Sequence, residues 1–423
     1  MGVCACIFMN LLAQILLWIA AIVSMYFAVF WFLVILDTPQ KIQRKHWKEW
    51  PLLSVIIPAY QEEDCIRETM ESVLNADYPR LQLIVVNDGS TDRTEERARA
   101  IAARYPSRDI TILSQKNAGK GAALNAGLKL ARGEFFATMD SDSYVHADAP
   151  KKLLSYFTAE DIAAVVPAMK VRTPKNFLQK LQWYEYNVNM FYKELMGRLD
   201  ALHVIPGPFP IYRTEVIRKL KGFATDGNLT EDLEMTLRLQ RNQHRIVQAM
   251  DAIVETIAPA TFKEFYAQRN RWFKGSLLNA MEYRGMTFNR AFGDFGMIQM
   301  PTLLISGALA LILIVTGVYY GVKPIITLGY HLAYVNFDIL TLLRNLHWNL
   351  TIFDLDFMSI ALTVSMLTMS LFVFFLAHRI TREPVLKHGW FTASVFLLLY
   401  YLALGVVWAG VAVDLLRGKR QRW

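Results

Sequence analysis

Hydrophobic and polar positions divide this chain into three stretches. Residues 4–36 contain no charged side chain, a run long enough to cross a bilayer core of about 30 Å with some tilt. Residues 50 to about 285 alternate short apolar runs with amphipathic ones, which is the habit of a soluble domain with one large core. Strands are predicted over 52–57, 81–86, 110–113 and 135–139, with helices from Glu62, from Thr91 and over 119–131 between them. The runs 163–166 and 245–249 follow, together with a long segment 176–195 and helix-like 233–241 and 262–281. This βαβα alternation predicts a mostly parallel sheet with helices on both faces. Apolar segments then return at about 297–321, 357–377 and 390–415, while 324–343 is interrupted by His331, Asn336 and Asp338. That interrupted segment fits a span, a re-entrant piece or an interfacial one.

The pattern therefore predicts four parts. They are an N-terminal transmembrane helix over 1–37, a basic juxtamembrane linker over 38–50, an α/β domain over 51–285 ending in an interfacial helix, and a membrane region over 286–423 with three or four transmembrane helices. No Lys or Arg precedes the first apolar run and no small-residue cleavage site ends it, so a cleaved leader is disfavoured. Lys41, Arg44, Lys45 and Lys48 follow it instead. Positive flanks stay cytoplasmic, which places the N-terminus outside and the α/β domain in the cytosol. If 324–343 spans, the tail with Arg417, Lys419, Arg420 and Arg422 is cytoplasmic and the basic loop 379–387 is outside; if it does not, the two exchange sides. The chain ends about eight residues past its last apolar segment, which predicts no C-terminal regulatory domain.

Composition agrees with this division. The 423 residues are 54% hydrophobic and the mean hydropathy is +0.24. Cys4, Cys6 and Cys65 have neither metal-ligand nor disulfide spacing. The net charge of +8 suits anionic lipid and a phosphate-bearing substrate, and no nucleic-acid-binding motif accompanies it.

Candidate chemistry sits at the predicted strand ends. The strand 135–139 runs into Asp140-Ser141-Asp142, and in open α/β sheets ligands collect at the carboxyl ends of strands. Two carboxylates one residue apart suit a hard divalent cation that also binds phosphate oxygens, although a solvated acidic turn has the same sequence. Pro58, Tyr60 and Glu62 follow the first strand and Asp88 follows the second; Tyr60 offers a flat face to a base and Asp88 an acceptor to a ring N–H. Taken singly, each reads first as an ordinary β-to-α turn, with Thr91 or Asp92 as a helix cap. Lys120 opens the next helix, within reach of a phosphate at its N-terminus, but the P-loop pattern is absent. Thr230-Glu231-Asp232 begins another helix, where acids are favoured by the dipole in any case and where Asp232 is a candidate general base. Gln268, Arg271 and Trp272 fall at i, i+3 and i+4, so they share one helix face. That face offers amide and guanidinium to phosphate oxygens and an indole to a sugar ring, or a Trp anchor to the membrane surface.

Taken in order, Pro58-Ala59-Tyr60-Gln61-Glu62-Glu63, Val86-Asn87-Asp88-Gly89-Ser90, Asn117-Ala118-Gly119-Lys120, Asp140-Ser141-Asp142, Thr230-Glu231-Asp232 and Gln268-Arg269-Asn270-Arg271-Trp272 resemble the family 2 glycosyltransferases. The likeness is greatest to the membrane-embedded processive synthases of poly-N-acetylglucosamine, chitin, hyaluronan and cellulose. It implies an α/β GT-A (nucleotide-sugar-binding, Rossmann-like) cytosolic domain inserted between transmembrane helices in a multi-pass plasma-membrane protein. It further implies a UDP-sugar donor, UDP-N-acetylglucosamine first among them, a growing polysaccharide or a lipid-linked acceptor, and Mg2+ or Mn2+. Pro58, Tyr60, Glu62, Asp88, Lys120, Asp140, Ser141, Gln268 and Arg271 would then bind the nucleotide sugar and Asp142 the metal. Asp232 would be the base of an inverting displacement, with Glu231 and Trp272 on the acceptor. Gln61 and Asn87 stand where the family often has Asn and Asp. Pro206-Gly207-Pro208-Phe209 carries an extra proline in the acceptor-side loop, which bears on acceptor identity. The competing readings are a single transfer to a polyprenyl phosphate and, from another class, a non-catalytic export scaffold or transporter.

Overall fold

A computed structural model of the chain describes residues 2–37, 44–225, 227–334, 336–338 and 357–418. Eight strands form one sheet: β1 Leu53–Ala59, β2 Leu81–Asn87, β3 Asp109–Ser114, β4 Phe135–Thr138, β5 Ser143–Val145, β6 Ile162–Val171, β7 Ile211–Arg213 and β8 Arg245–Thr256. Their order is β3-β2-β1-β4-β7-β6-β8-β5. The first half is parallel throughout, β1 lying between β2 and β4 with β3 outside β2. Parallel neighbours need long crossovers, and α2 Ile66–Leu74, α3 Thr94–Arg104 and α4 Lys120–Leu130 supply them. Because both faces of this half are covered, β1 and β2 are buried at every position, which explains their nearly continuous apolar runs; the exceptions, Ser54 and Gln82, hydrogen-bond each other at 2.7 Å.

The second half departs from the parallel pattern expected from the sequence. β7 enters antiparallel between β4 and β6, and β5 pairs antiparallel with β8. Both are three-residue strands, too short for alternation of apolar and polar positions to register. The helix expected from Glu62 starts at Ile66 and that expected from Thr91 at Thr94. The intervening residues lace the two turns together instead: the Asp92 carboxylate accepts from the backbone N–H groups of Glu63 and Thr94.

Period-2 alternation in β4 feeds two cores. Phe135 packs on Phe157 at 4.5 Å between ring centres and on Trp47 at 5.8 Å. Phe136 faces the opposite way, stacking on Tyr212 at 5.2 Å and meeting Phe223. The helices α5 Ala149–Ser155, α6 Phe177–Arg198, α7 Thr214–Lys219, α8 Glu231–Arg241 and α9 Phe262–Glu282 complete the domain. Both long helices, α6 and α9, begin with capping boxes, Asn176 with Gln179 and Thr261 with Glu264, so their starting registers are fixed locally.

Among the described residues, the apolar helices α10 Met300–Tyr334, α11 Phe357–Thr381, α12 Trp390–Leu398 and α13 Tyr400–Leu416 follow α9, and α1 Gly2–Leu36 opens the chain. The segments expected separately at 297–321 and 324–343 are joined as far as Tyr334, since α10 runs through Pro324. Residues 339–343 of that expected segment, the linker residues 38–43 with Lys41, and the tail residues Lys419, Arg420 and Arg422 lie outside the described residues. Among those described, two stretches are long and apolar enough to cross a membrane, Phe295–Ile312 and Trp390–Leu416. Shorter apolar helical stretches occupy Ala21–Leu36 and Leu367–Thr381. These helices pack on the α/β domain, α11 against α6 and α13 against α9, while α1 packs on α10. The linker's Arg44 turns toward the domain, pairing with Asp251 at 2.9 Å, and Lys45 lies 3.6 Å from the centre of the Trp47 ring.

Phe135 sits where β4, α5 and the linker meet, so Phe135→Ala should cost about 3–5 kcal/mol. Thermal unfolding of the purified protein would show this as a lowered Tm; an unchanged Tm would mean the site collapses around the smaller side chain.

Candidate active site

Because β1, β2 and β4 are parallel and adjacent, their carboxyl ends share one edge of the sheet. That edge, the N-terminus of α8 and one face of α9 enclose a cavity of about 500 Å³. Every residue assigned a binding, metal or catalytic role from the sequence lines it. Pro58, Tyr60 and Glu62 come from the end of β1, Asp88 from β2, Lys120 from the start of α4, and Asp140, Ser141 and Asp142 from the end of β4. Glu231 and Asp232 come from α8, and Gln268, Arg271 and Trp272 from α9.

On the strand side, Tyr60 is half exposed at the rim. Asp88 is buried, and its role is partly internal. Its carboxylate accepts from Gln115 Nε2 at 2.7 Å and from the backbone N–H groups of Ala118 at 3.0 Å and Gly119 at 2.8 Å, ordering the loop that leads into Lys120. Burial, with the charge of Asp142 added, pushes the Glu62 carboxyl up to about 7. Asp142 is pushed up to about 6 by burial and by Asp140 beside it.

Lys120 does not stand free toward a phosphate. Its ammonium lies 2.8 Å from Asp140 Oδ1 and 2.8 Å from Glu231 Oε1. Burial works against this charge, but the two carboxylates outweigh it and hold the amine above the usual lysine range. One cation thus joins the end of β4 to the start of α8. Next to it, burial and then Glu231 push Asp232 up to about 6, within the range where a carboxylate can take a proton.

Two glycines permit the close approaches. A Cβ on Gly207 would lie 2.5 Å from both carboxylate oxygens of Asp140, and one on Gly275 would lie 2.6 Å from Thr230 Oγ1. Gly207 therefore lets the Pro206-Gly207-Pro208 turn touch Asp140, and Gly275 brings α9 against the start of α8.

The sharing of one α9 face by Gln268, Arg271 and Trp272 holds, and all three face the cavity. The residue between them, Arg269, has another task. It is fully buried, pairs with Glu185 of α6 at 2.5 Å, and lies 4.2 Å from the centre of the Trp272 ring. Tyr400 of α13 donates to the same carboxylate at 2.7 Å. A second cavity of about 340 Å³ opens on the far side. It shares Tyr186, Pro206, Thr230, Asp232 and Trp272 with the first, so the two adjoin at the Asp232 carboxylate and the indole. Tyr186, in both cavities, is not singled out by the sequence motifs. Its signal is the stripe Tyr186, Asn189, Lys193 at i, i+3 and i+7 along α6.

Asp140 and Asp142 fit a hard divalent cation: both are oxygen donors at one strand end, and Asp142 is raised by a like charge that a dication would relieve. No cluster of three or more His, Cys, Asp or Glu able to hold a metal occurs among the described residues, so the remaining ligands would have to come from substrate oxygens or water.

Residues 51–275 match the family model described as "Glycosyltransferase like family 2". The chain is similar to "Probable glycosyltransferase YdaM" of Bacillus subtilis, 32% identical over 58% of this chain and 60% of that protein. It is also similar to "Poly-beta-1,6-N-acetyl-D-glucosamine synthase" of Staphylococcus epidermidis, 27% identical over 53% of this chain and 54% of the synthase. The matches thus span little more than half the length of these relatives. Among solved structures, the mannosyltransferase PcManGT of Pyrobaculum calidifontis, in complex with GDP-Man and Mn2+, superposes with a TM-score of 0.56 at 20% identity, covering 78% of this chain and 93% of that one.

Gly207→Ala should displace the Asp140 carboxylate and weaken binding of UDP with Mn2+ by roughly tenfold or more, the value of one charge-assisted contact. Calorimetric titration would measure it; unchanged affinity would remove Asp140 from the nucleotide side.

Proposed function

The chain belongs to the glycosyltransferase-like family 2 through residues 51–275, and on that premise we propose that it adds sugars from a UDP-sugar to the growing end of a β-linked polysaccharide. The α/β domain has the GT-A fold of this family of enzymes. The observation that carries the proposal is the junction of the two cavities at Asp232 and Trp272. A donor pocket lined by acids and Arg271 lies on one side, and on the other a pocket lined by aromatic rings, including Tyr186, Phe396 and Tyr400. Aromatic faces suit sugar rings, and a pocket running from the base toward α12 and α13 suits a chain moving toward the membrane. This favours a polymer over a single sugar placed on a polyprenyl phosphate. N-acetylglucosamine is the leading donor sugar, supported by the similarity to the poly-N-acetylglucosamine synthase.

In the proposed reaction the acceptor hydroxyl loses its proton to Asp232 and attacks the anomeric carbon in one displacement with inversion. A single base without an enzyme nucleophile is sufficient for that course. Tyr60, Glu62 and Asp88 hold the base and Asp140 the ribose side, while Arg271 and Gln268 face the diphosphate and stabilise the charge that develops on it. Mg2+ or Mn2+, held by Asp142 with Asp140 beside it, would neutralise the leaving diphosphate as a Lewis acid. Lys120 keeps Asp140 and Glu231 in place around these groups.

Membrane embedding belongs to the same proposal. Side chains such as Ile22 and Leu33 on α1, Ile325 on α10 and Leu402 on α13 are exposed, and contiguous exposed apolar surface calls for lipid or a partner. A multi-pass plasma-membrane enzyme with its catalytic domain in the cytosol would take UDP-sugar there and feed the polymer outward.

Asp232→Asn should lower transfer by about 10²–10⁴-fold while UDP binding persists; near-normal turnover would remove Asp232 as the base. Activity should fall as pH drops through about 6, because Asp232, raised to about 6, must be ionised to accept a proton. Asp142, also near 6, moves the profile in the same sense. A rate flat between pH 5 and 7 under saturating substrates would contradict this. Sizing of the product made from labelled UDP-N-acetylglucosamine separates a polymer from a single-sugar lipid.

A further inference from the structure

Lys193 lines the second cavity and has no part in the mechanism proposed for the first. It sits on α6 two turns beyond Tyr186, is 6% exposed and lies beside Asp232 in the cavity wall. Its ammonium makes no hydrogen bond or ion pair with any described residue, whereas the neighbouring Arg269 is paired with Glu185. His203, also on this wall, has a buried Nδ1 without a partner among the described residues. A buried amine whose hydrogens find no acceptor is unfavourable, and three N–H donors with no acceptor among them call for oxygen.

We propose that Lys193 is an acceptor-positioning residue: it donates hydrogen bonds to oxygens of the terminal acceptor sugar and turns the attacking hydroxyl toward Asp232. This rests on the polymer-forming reading above. The geometry gives it content. Asp232 touches both cavities, Trp272 forms the wall between them, and Lys193 faces only the acceptor side. A group so placed acts on the acceptor and leaves the nucleotide untouched. Burial lowers the Lys193 amine to about 8, opposed by the negative Asp232, so the ammonium form predominates at neutral pH and donates through all three hydrogens. The ligand class that fits is an uncharged, oxygen-rich sugar with hydroxyl or acyl oxygens.

The test uses the full chain in detergent, with UDP-N-acetylglucosamine as donor and N-acetylglucosamine oligosaccharides as added acceptor. Lys193→Met, which keeps the length of the side chain and removes its donors, should raise the acceptor KM by roughly ten- to hundredfold, the worth of a hydrogen bond from a charged group. UDP affinity and the slow release of UDP in the absence of acceptor should stay within about twofold of the parent, which also reports that the variant is folded. Lys193→Gln, which keeps N–H donors without charge, should recover part of the loss. Should Lys193→Met disturb the fold, Lys193→Gln alone carries the test, with acceptor KM raised and UDP affinity kept. An acceptor KM unchanged in a variant that binds UDP normally overturns the inference. A parent chain that transfers to no oligosaccharide but glycosylates a polyprenyl phosphate overturns the polymer reading instead, so the two failures are distinguishable.

Discussion

The ammonium of Lys120, 2.8 Å from Asp140 and 2.8 Å from Glu231, is the interaction on which the site depends. Asp140, Asp142, Glu231 and Asp232 share one cavity, and four acids so close repel one another and resist burial. Lys120 neutralises one acid from each pair and ties the sheet edge to the start of α8. Removing one partner from such a buried pair costs about 3–5 kcal/mol, and here the loss would also separate the donor side from the proposed base. The pairing leaves Asp142 and Asp232 outside the ion pair, which is what the proposed roles of cation ligand and base require of them.

A second bracket holds the helix side. Arg269 is fully buried against Glu185 of α6, and Tyr400 of α13 donates to the same carboxylate. Three helices distant in sequence meet at one charge pair, and the Arg269 guanidinium lies under the Trp272 ring. The indole's position is therefore set by elements packed behind it, and α9 connects the candidate site to an apolar helix. A shift of α13 would reach Trp272 through Glu185 and Arg269.

Much of this is legible in the sequence. β1, β2 and β4 are buried on both faces and appear as mostly apolar runs, so the amino-acid pattern alone assigns the acids that follow them to one sheet edge. Gln268, Arg271 and Trp272 declare their common face through helical spacing. What stays hidden depends on contacts across the fold. Lys120 has the look of a phosphate ligand because a helix start near a sheet edge favours anions, and nothing local to it foretells Asp140 and Glu231 as partners. Arg269 lies inside the same motif as Arg271, and only its ion pair with Glu185 of α6 makes it structural. β5 and β7 are too short to leave a pattern. Tyr186 and Lys193 belong to a helix apolar and aromatic on several sides, so periodicity does not say which side faces a cavity.

One base, Asp232, standing between a donor pocket and an acceptor pocket is the central claim, and it permits a single displacement. Proton NMR of the first bond formed from UDP-N-acetylglucosamine, whose sugar is α-linked to the diphosphate, addresses this directly. A single displacement predicts a β-linked product, read from the large coupling constant of its anomeric proton. An α-linked product would contradict it, since retention requires a second nucleophilic event that this arrangement does not provide.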